Sequence, residues 1–136
     1  MEENRGISLR PLVTELAAEL RASTPETARG LMIDLEIDSL NTTQDVSVAV
    51  AFLITEIVEF AMLNAPTEPI ELTLRRTSEL TARLSLSSPV LVPDDEDKPE
   101  KLQFERIVGG LAKQLRSPLE RKLGRYSVDL PVFPAD

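Results

Sequence analysis

Cysteine and histidine are both absent from the 136 residues. Without cysteine there are no disulfides, no thiolate nucleophile and no cysteine metal site. Without histidine there is no imidazole base, no histidine metal ligand and no phospho-accepting histidine within the chain. Positive charge is also scarce: 15 Lys and Arg stand against 23 Asp and Glu, a net charge of −8. Nucleic acid and anionic membranes are attracted through clustered positive charge, so neither is an expected partner. No stretch approaches about 18 uninterrupted apolar residues, the length of a spanning helix. Met1 to Gly6 lacks the basic start and apolar run of a signal peptide, so the chain reads as cytoplasmic. What is left is carboxylate chemistry, binding by shape, or no chemistry, and no cofactor is expected.

What is present is globular. Hydrophobic residues make up 42% and charged residues 28%, enough for one domain with a real core and too little chain for two ordinary ones. From about Pro11 to Arg21, Leu12, Val13, Leu16, Ala17 and Leu20 fall on one helical stripe with Leu9. Leu31 to Asp38 alternates as a half-buried strand, with Ile33, Leu35 and Ile37 on one side and Asp34, Glu36 and Asp38 on the other. Three carboxylates at that spacing suggest a cation site. The absence of a glycine-bearing ligand loop favours a solvated face instead, with Arg75 and Arg83 as counter-charges.

The longest element follows. Thr42 and Asp45 resemble a capping box, and Val46 to Leu63 is apolar almost all round, as a helix at the centre of a core is. Pro69–Arg75 and Glu79–Leu86 read as a hairpin across the turn Arg76–Ser78. Pro89–Pro93 suggests an edge piece, and Pro93–Glu100 a solvated loop. A last helix over Glu100–Arg116 carries Phe104, Ile107, Val108, Leu111 and Leu115 on one stripe. Strands at Pro118–Arg121 and Tyr126–Val132 close the chain. The order predicts an α+β two-layer sandwich, a mixed sheet of about five strands with its helices on one face.

This order, with its long apolar central helix, resembles the ATPase-like (GHKL) domain of bacterial histidine kinases and histidine phosphotransferases over nearly the whole chain. Ile7–Leu16 is similar to a leucine-rich lead-in of one subfamily. Asp45–Ala61, with its Thr55-Glu56 pair, looks like that subfamily's central helix, and Leu111–Leu115 resembles the late helix. The resemblance implies a single domain spanning residues 1–136, excised from a longer protein with an upstream dimerisation hairpin. Its implied partners are a response-regulator receiver domain or those upstream helices, through which it could form a homodimer.

The nucleotide motifs implied by the resemblance are missing. Glu56 matches the family's Glu, but Phe60 stands where its magnesium-holding Asn belongs and Leu63 where a Lys is usual. Asn64 cannot substitute, because shifting the motif one turn puts Phe60 at the Glu position. Ser87 stands near the adenine-binding Asp with no glycine after it. Leu102–Arg106 replaces the glycine motif, and Gly109-Gly110 comes too late. Glu56 and Glu59 suggest an acid–base pair, although glutamates one turn apart on a helix are mostly structural.

These substitutions imply a pseudo-ATPase domain of two-component signalling, supporting phosphorelay or response-regulator docking without binding ATP. The alternatives are a divergent but active kinase catalytic domain and an interaction protein unrelated to phosphorelay. Phe52, Phe60 and Leu63 share a helix side with Glu56 and Glu59. Together with Phe104 they are expected either to collapse into the core or to form an exposed patch for a partner.

Overall fold

The computed structural model describes residues 6–23, 32–92 and 98–135. In chain order the elements are β1 (Ile7–Ser8), α1 (Leu9–Ala22), β2 (Ile33–Ile37), β3 (Asn41–Thr42), α2 (Gln44–Asn64), β4 (Ile70–Ser78), β5 (Thr81–Ser87), α3 (Pro99–Gln114), β6 (Glu120–Lys122) and β7 (Arg125–Pro131). Five strands form one mixed sheet in the order β2-β4-β5-β7-β6, with only the β2–β4 pair parallel. β1 and β3 form a separate two-stranded ribbon.

Alternation builds the two layers. Ile70, Leu72 and Leu74, then Ala82, Leu84 and Leu86, then Tyr126, Val128 and Leu130 are all buried, the period of two putting them on one face of the sheet. They form a single cluster with Leu53, Ile54, Ile57 and Val58 of α2. The expected sandwich is therefore present, with α2 as its central helix. By length and mean hydropathy α2 does reach what a spanning helix needs, but 56% of that window is buried inside this fold. Counting only uninterrupted apolar runs missed this property.

Several boundaries differ from the sequence expectation, each for a local reason. Thr43, not Thr42, caps α2: its hydroxyl accepts from the Val46 N–H at 3.3 Å. Thr42 is drawn into β3, where its hydroxyl donates to the Pro131 carbonyl at 2.7 Å. Gly6, at φ +74°, passes so close to this ribbon that a Cβ would meet the Thr42 carbonyl oxygen at 2.2 Å. Arg76–Ser78 is not the hairpin turn. β4 runs through it with a register shift between Arg76 and Ser78, and the chain reverses at Glu79–Leu80. Pro89–Val92 forms no strand, and Pro93–Asp97, like Leu31, lies outside the described residues.

The carboxylates of β2 find one of the two expected arginines. Arg75 on β4 pairs with Glu36 and lies 3.9 Å from Asp38. Arg83 on β5 does not reach them, because β4 stands between; it pairs with Asp129 and Glu120, each at 3.0 Å. Those two carboxylates hold the Arg83 guanidinium more firmly protonated than usual.

Candidate functional site

The C-terminal half of α2, the first turn of α3 and the segment after β5 enclose a cavity of about 250 Å³, lined among others by Phe60, Asn64, Val90, Lys98 and Lys101. Phe60 is half-buried and stacks on Phe104, with centroids 4.1 Å apart and planes 10° from parallel. Phe104 lies in turn 6.4 Å from the Tyr126 ring. The Lys101 ammonium lies 5.2, 5.3 and 5.5 Å from the Phe60, Phe104 and Tyr126 centroids. At these distances the ring quadrupoles attract it.

Lys101 is only 3% exposed, and an ammonium so buried needs a carboxylate. Glu105, one turn along α3, supplies it at 3.2 Å. The other Glu105 oxygen accepts from Arg121 Nε at 2.5 Å. The Tyr126 hydroxyl donates to Glu105 and accepts from Lys101, the latter at 3.3 Å. Every charge in the cluster is thus hydrogen-bonded, the condition under which a buried ion pair is tolerated. Burial alone would raise the Glu105 pKa, but donation from Tyr126, Arg121 and Lys101 outweighs it and holds the carboxyl below its usual range. Burial, reinforced by the Glu105 carboxylate, pushes the Tyr126 phenol well above its usual value.

The structure brings together only part of the sequence-predicted set. Phe60, Asn64 and Phe104 meet around the cavity, the Asn64 amide donating to the Phe60 carbonyl at 2.8 Å. Phe104 is buried, so it contributes to the core and not to an exposed patch. Leu63 is 78% exposed and borders a separate hollow of about 220 Å³ with Leu20, Glu59 and Met62, beside α1. Phe52 is exposed as well. At about 100° per residue, Phe52, Glu56, Glu59, Phe60 and Leu63 spread over about 100° of helix surface. Phe60 takes the flank towards α3, which is why it stacks while Leu63 does not. Glu56 is half-buried in α2, with no ionic partner among the described residues. Ser87 is outside the cavity lining; it pairs across the sheet with Glu71 and Arg125 and borders a different hollow. Among the described residues no three acidic side chains converge to hold a metal ion.

Sequence reasoning missed Lys101, Glu105, Arg121 and Tyr126. A signal was available: Lys101 and Glu105 are spaced i, i+4 around Phe104, on the stripe that buries Phe104 and Val108.

The arrangement of three helices over a mixed five-stranded sheet is the ATPase-like fold of histidine kinase ATP-binding domains. A blue-light activated histidine kinase of Erythrobacter litoralis superposes with a TM-score of 0.77 at 19% identity, covering 93% of this chain and 46% of that one. The mycobacterial sensor histidine kinase MprB gives 0.72 at 11% identity, over 95% and 97% of the two chains. The ATP binding domain of PrrB from Mycobacterium tuberculosis gives 0.67 at 17% identity, over 95% and 96%. The chain therefore spans less than half the length of the first of these proteins and nearly all of the other two. No protein-family model and no curated protein matches the sequence.

Proposed function

We propose that this chain is a pseudo-ATPase domain of two-component signalling, which supports phosphorelay or the docking of a response regulator without binding magnesium-ATP. The observation that carries the reading is the Phe60–Phe104 stack with the Lys101 ammonium beside it. At the position where the resembling kinases keep a magnesium-holding Asn, this chain has a ring with no oxygen to offer a hard cation. A cation of the protein's own lies against that ring, tied to Glu105, and repels a second one. The cavity at Phe60, about 250 Å³, also falls below the roughly 300–1,000 Å³ of ordinary small-molecule sites. On this reading the parent protein is cytoplasmic. Its phospho-accepting histidine lies on a dimerisation hairpin upstream, and the domain's partners are that hairpin and a receiver domain.

A divergent but active kinase domain is the second reading. Lys98 at the cavity favours it, a charge that suits phosphates. Thermal unfolding separates the two. A ligand at 100 times its Kd stabilises a fold by about 2.7 kcal/mol, which at this size is a shift of several degrees. The pseudo-ATPase reading expects no shift with millimolar magnesium-ATP. A clear shift that magnesium alone does not give overturns it in favour of the active enzyme.

A further inference from the structure

α3 ends in a Schellman turn: the Ser117 N–H donates to the Ala112 carbonyl at 3.3 Å and the Arg116 N–H to the Lys113 carbonyl at 3.0 Å. This geometry demands a left-handed residue after the helix cap, a place glycine fills without strain. Here Arg116 holds it, at φ 58°, the one non-glycine residue with positive φ among those described. The strain also ends the helix at Gln114, two residues before the sequence pattern suggests. Countering the helix dipole does not require a cation there, since Lys113 already stands in the last turn. Strain retained at a residue with no structural need for it points to function.

Arg116 borders an open groove of about 510 Å³ at the end of the sheet remote from the Phe60 cavity. Among the described residues no acid or carbonyl engages its guanidinium. The groove's one carboxylate, Asp129, is already taken by Arg83 at 3.0 Å, so its unspent charge is positive. Pro118 and Pro131 contribute apolar walls, and Leu80 stands 58% exposed at the rim. An open trough with one free cation and apolar sides complements a chain laid across it, bearing a carboxylate next to an apolar side chain. We propose that this groove docks an extended acidic–apolar segment of a partner protein, with Arg116 as the carboxylate anchor.

The test uses the whole chain, labelled for amide NMR and titrated with two acetylated hexapeptides, one alternating Leu and Glu and the other Leu and Lys. The Glu peptide is expected to shift the Thr81, Arg116, Ser117 and Leu130 amides, while the Lys peptide leaves them in place. R116G is expected to raise Tm by about 3–5 °C, as relief of left-handed strain does in a chain of this size. The same variant is expected to weaken Glu-peptide binding at least tenfold. Higher stability with lower binding is an outcome that general damage to the fold cannot produce. The proposal is overturned if the Glu peptide shifts nothing, if both peptides act alike, or if R116G binds as the wild type does. It is equally overturned if R116G does not raise Tm, or if acetate alone competes as well as the peptide, which would make the groove a small-anion site.

Discussion

Three donors meet one carboxylate at Glu105, and the two protonation states of that group differ in energy accordingly. Its folded pKa lies below the unfolded value of about 4.3. The stabilisation is therefore complete above about pH 5 and is lost as pH falls through the folded pKa. Urea midpoints measured from pH 7 down to pH 3 should fall for the wild type, and E105Q should flatten part of that slope. At neutral pH the same variant leaves the Lys101 charge buried without its counter-ion, a cost of about 3–5 kcal/mol. Tyr126 acts at the opposite limit, since its folded pKa is raised. Its contribution is complete below about pH 10 and is lost as pH rises beyond that. Absorbance at 295 nm should show the phenol of the folded chain ionising later than free tyrosine, and Y126F should remove the alkaline loss. Residue types alone did not mark this cluster, because lysine and glutamate are surface residues by default; only the i, i+4 spacing of Lys101 and Glu105 around Phe104 hinted at it. What buries Lys101 is the meeting of α3 with Phe60 and Tyr126, which lie 41 and 25 positions from it along the chain.

The elements were far easier to read than their ends. α2 was legible because its apolar residues run nearly all round the helix, a pattern that fits only a core position. Leu53 and Ile57 are each 1% exposed. L53A or I57A should each lower stability by about 2–5 kcal/mol, read from chemical denaturation. The cap was misplaced by one residue because Thr42 and Thr43 offer the same hydroxyl, and only pairing with β1 decides between them. T43A should cost about 1 kcal/mol, whereas T42A should disturb the ribbon and its tie to Pro131. The hairpin turn was misplaced for a similar reason. Arg76–Ser78 is polar like a turn, but the Arg76 N–H donates to the Asp38 carboxylate at 2.8 Å, and its guanidinium donates to the Glu79 carbonyl at 2.6 Å. Those bonds hold it in the strand.

For the whole molecule, two-period and 3.6-period patterns were enough to order the layers. Which part of a helix face meets a neighbour was not readable, since that depends on crossing geometry. Phe60 and Leu63 lie about 60° apart around α2, yet one is stacked on an aromatic ring and the other exposed. F60N should therefore destabilise the fold by exchanging the ring stack for an amide, by about 2–4 kcal/mol on the scale of buried aromatic loss. L63K should change stability by less than about 0.5 kcal/mol. Equal effects of the two variants in thermal and urea unfolding would refute this division of the helix.

Among the described residues the sheet is open, and one of its two edges is β2, which pairs with β4 on one side only. An unpaired strand edge is a template on which another chain can add, and long flat apolar edges seed aggregates. In β2 the residues turned away from the core are Asp34 and Glu36, with Asp38 directly after it. Two such edges approaching each other bring like charges together before a backbone bond can form. Asp34, Glu36 and Asp38 are thus charges of the kind that discourage a second chain from adding to an open strand edge, offset only in part by Arg75 on Glu36.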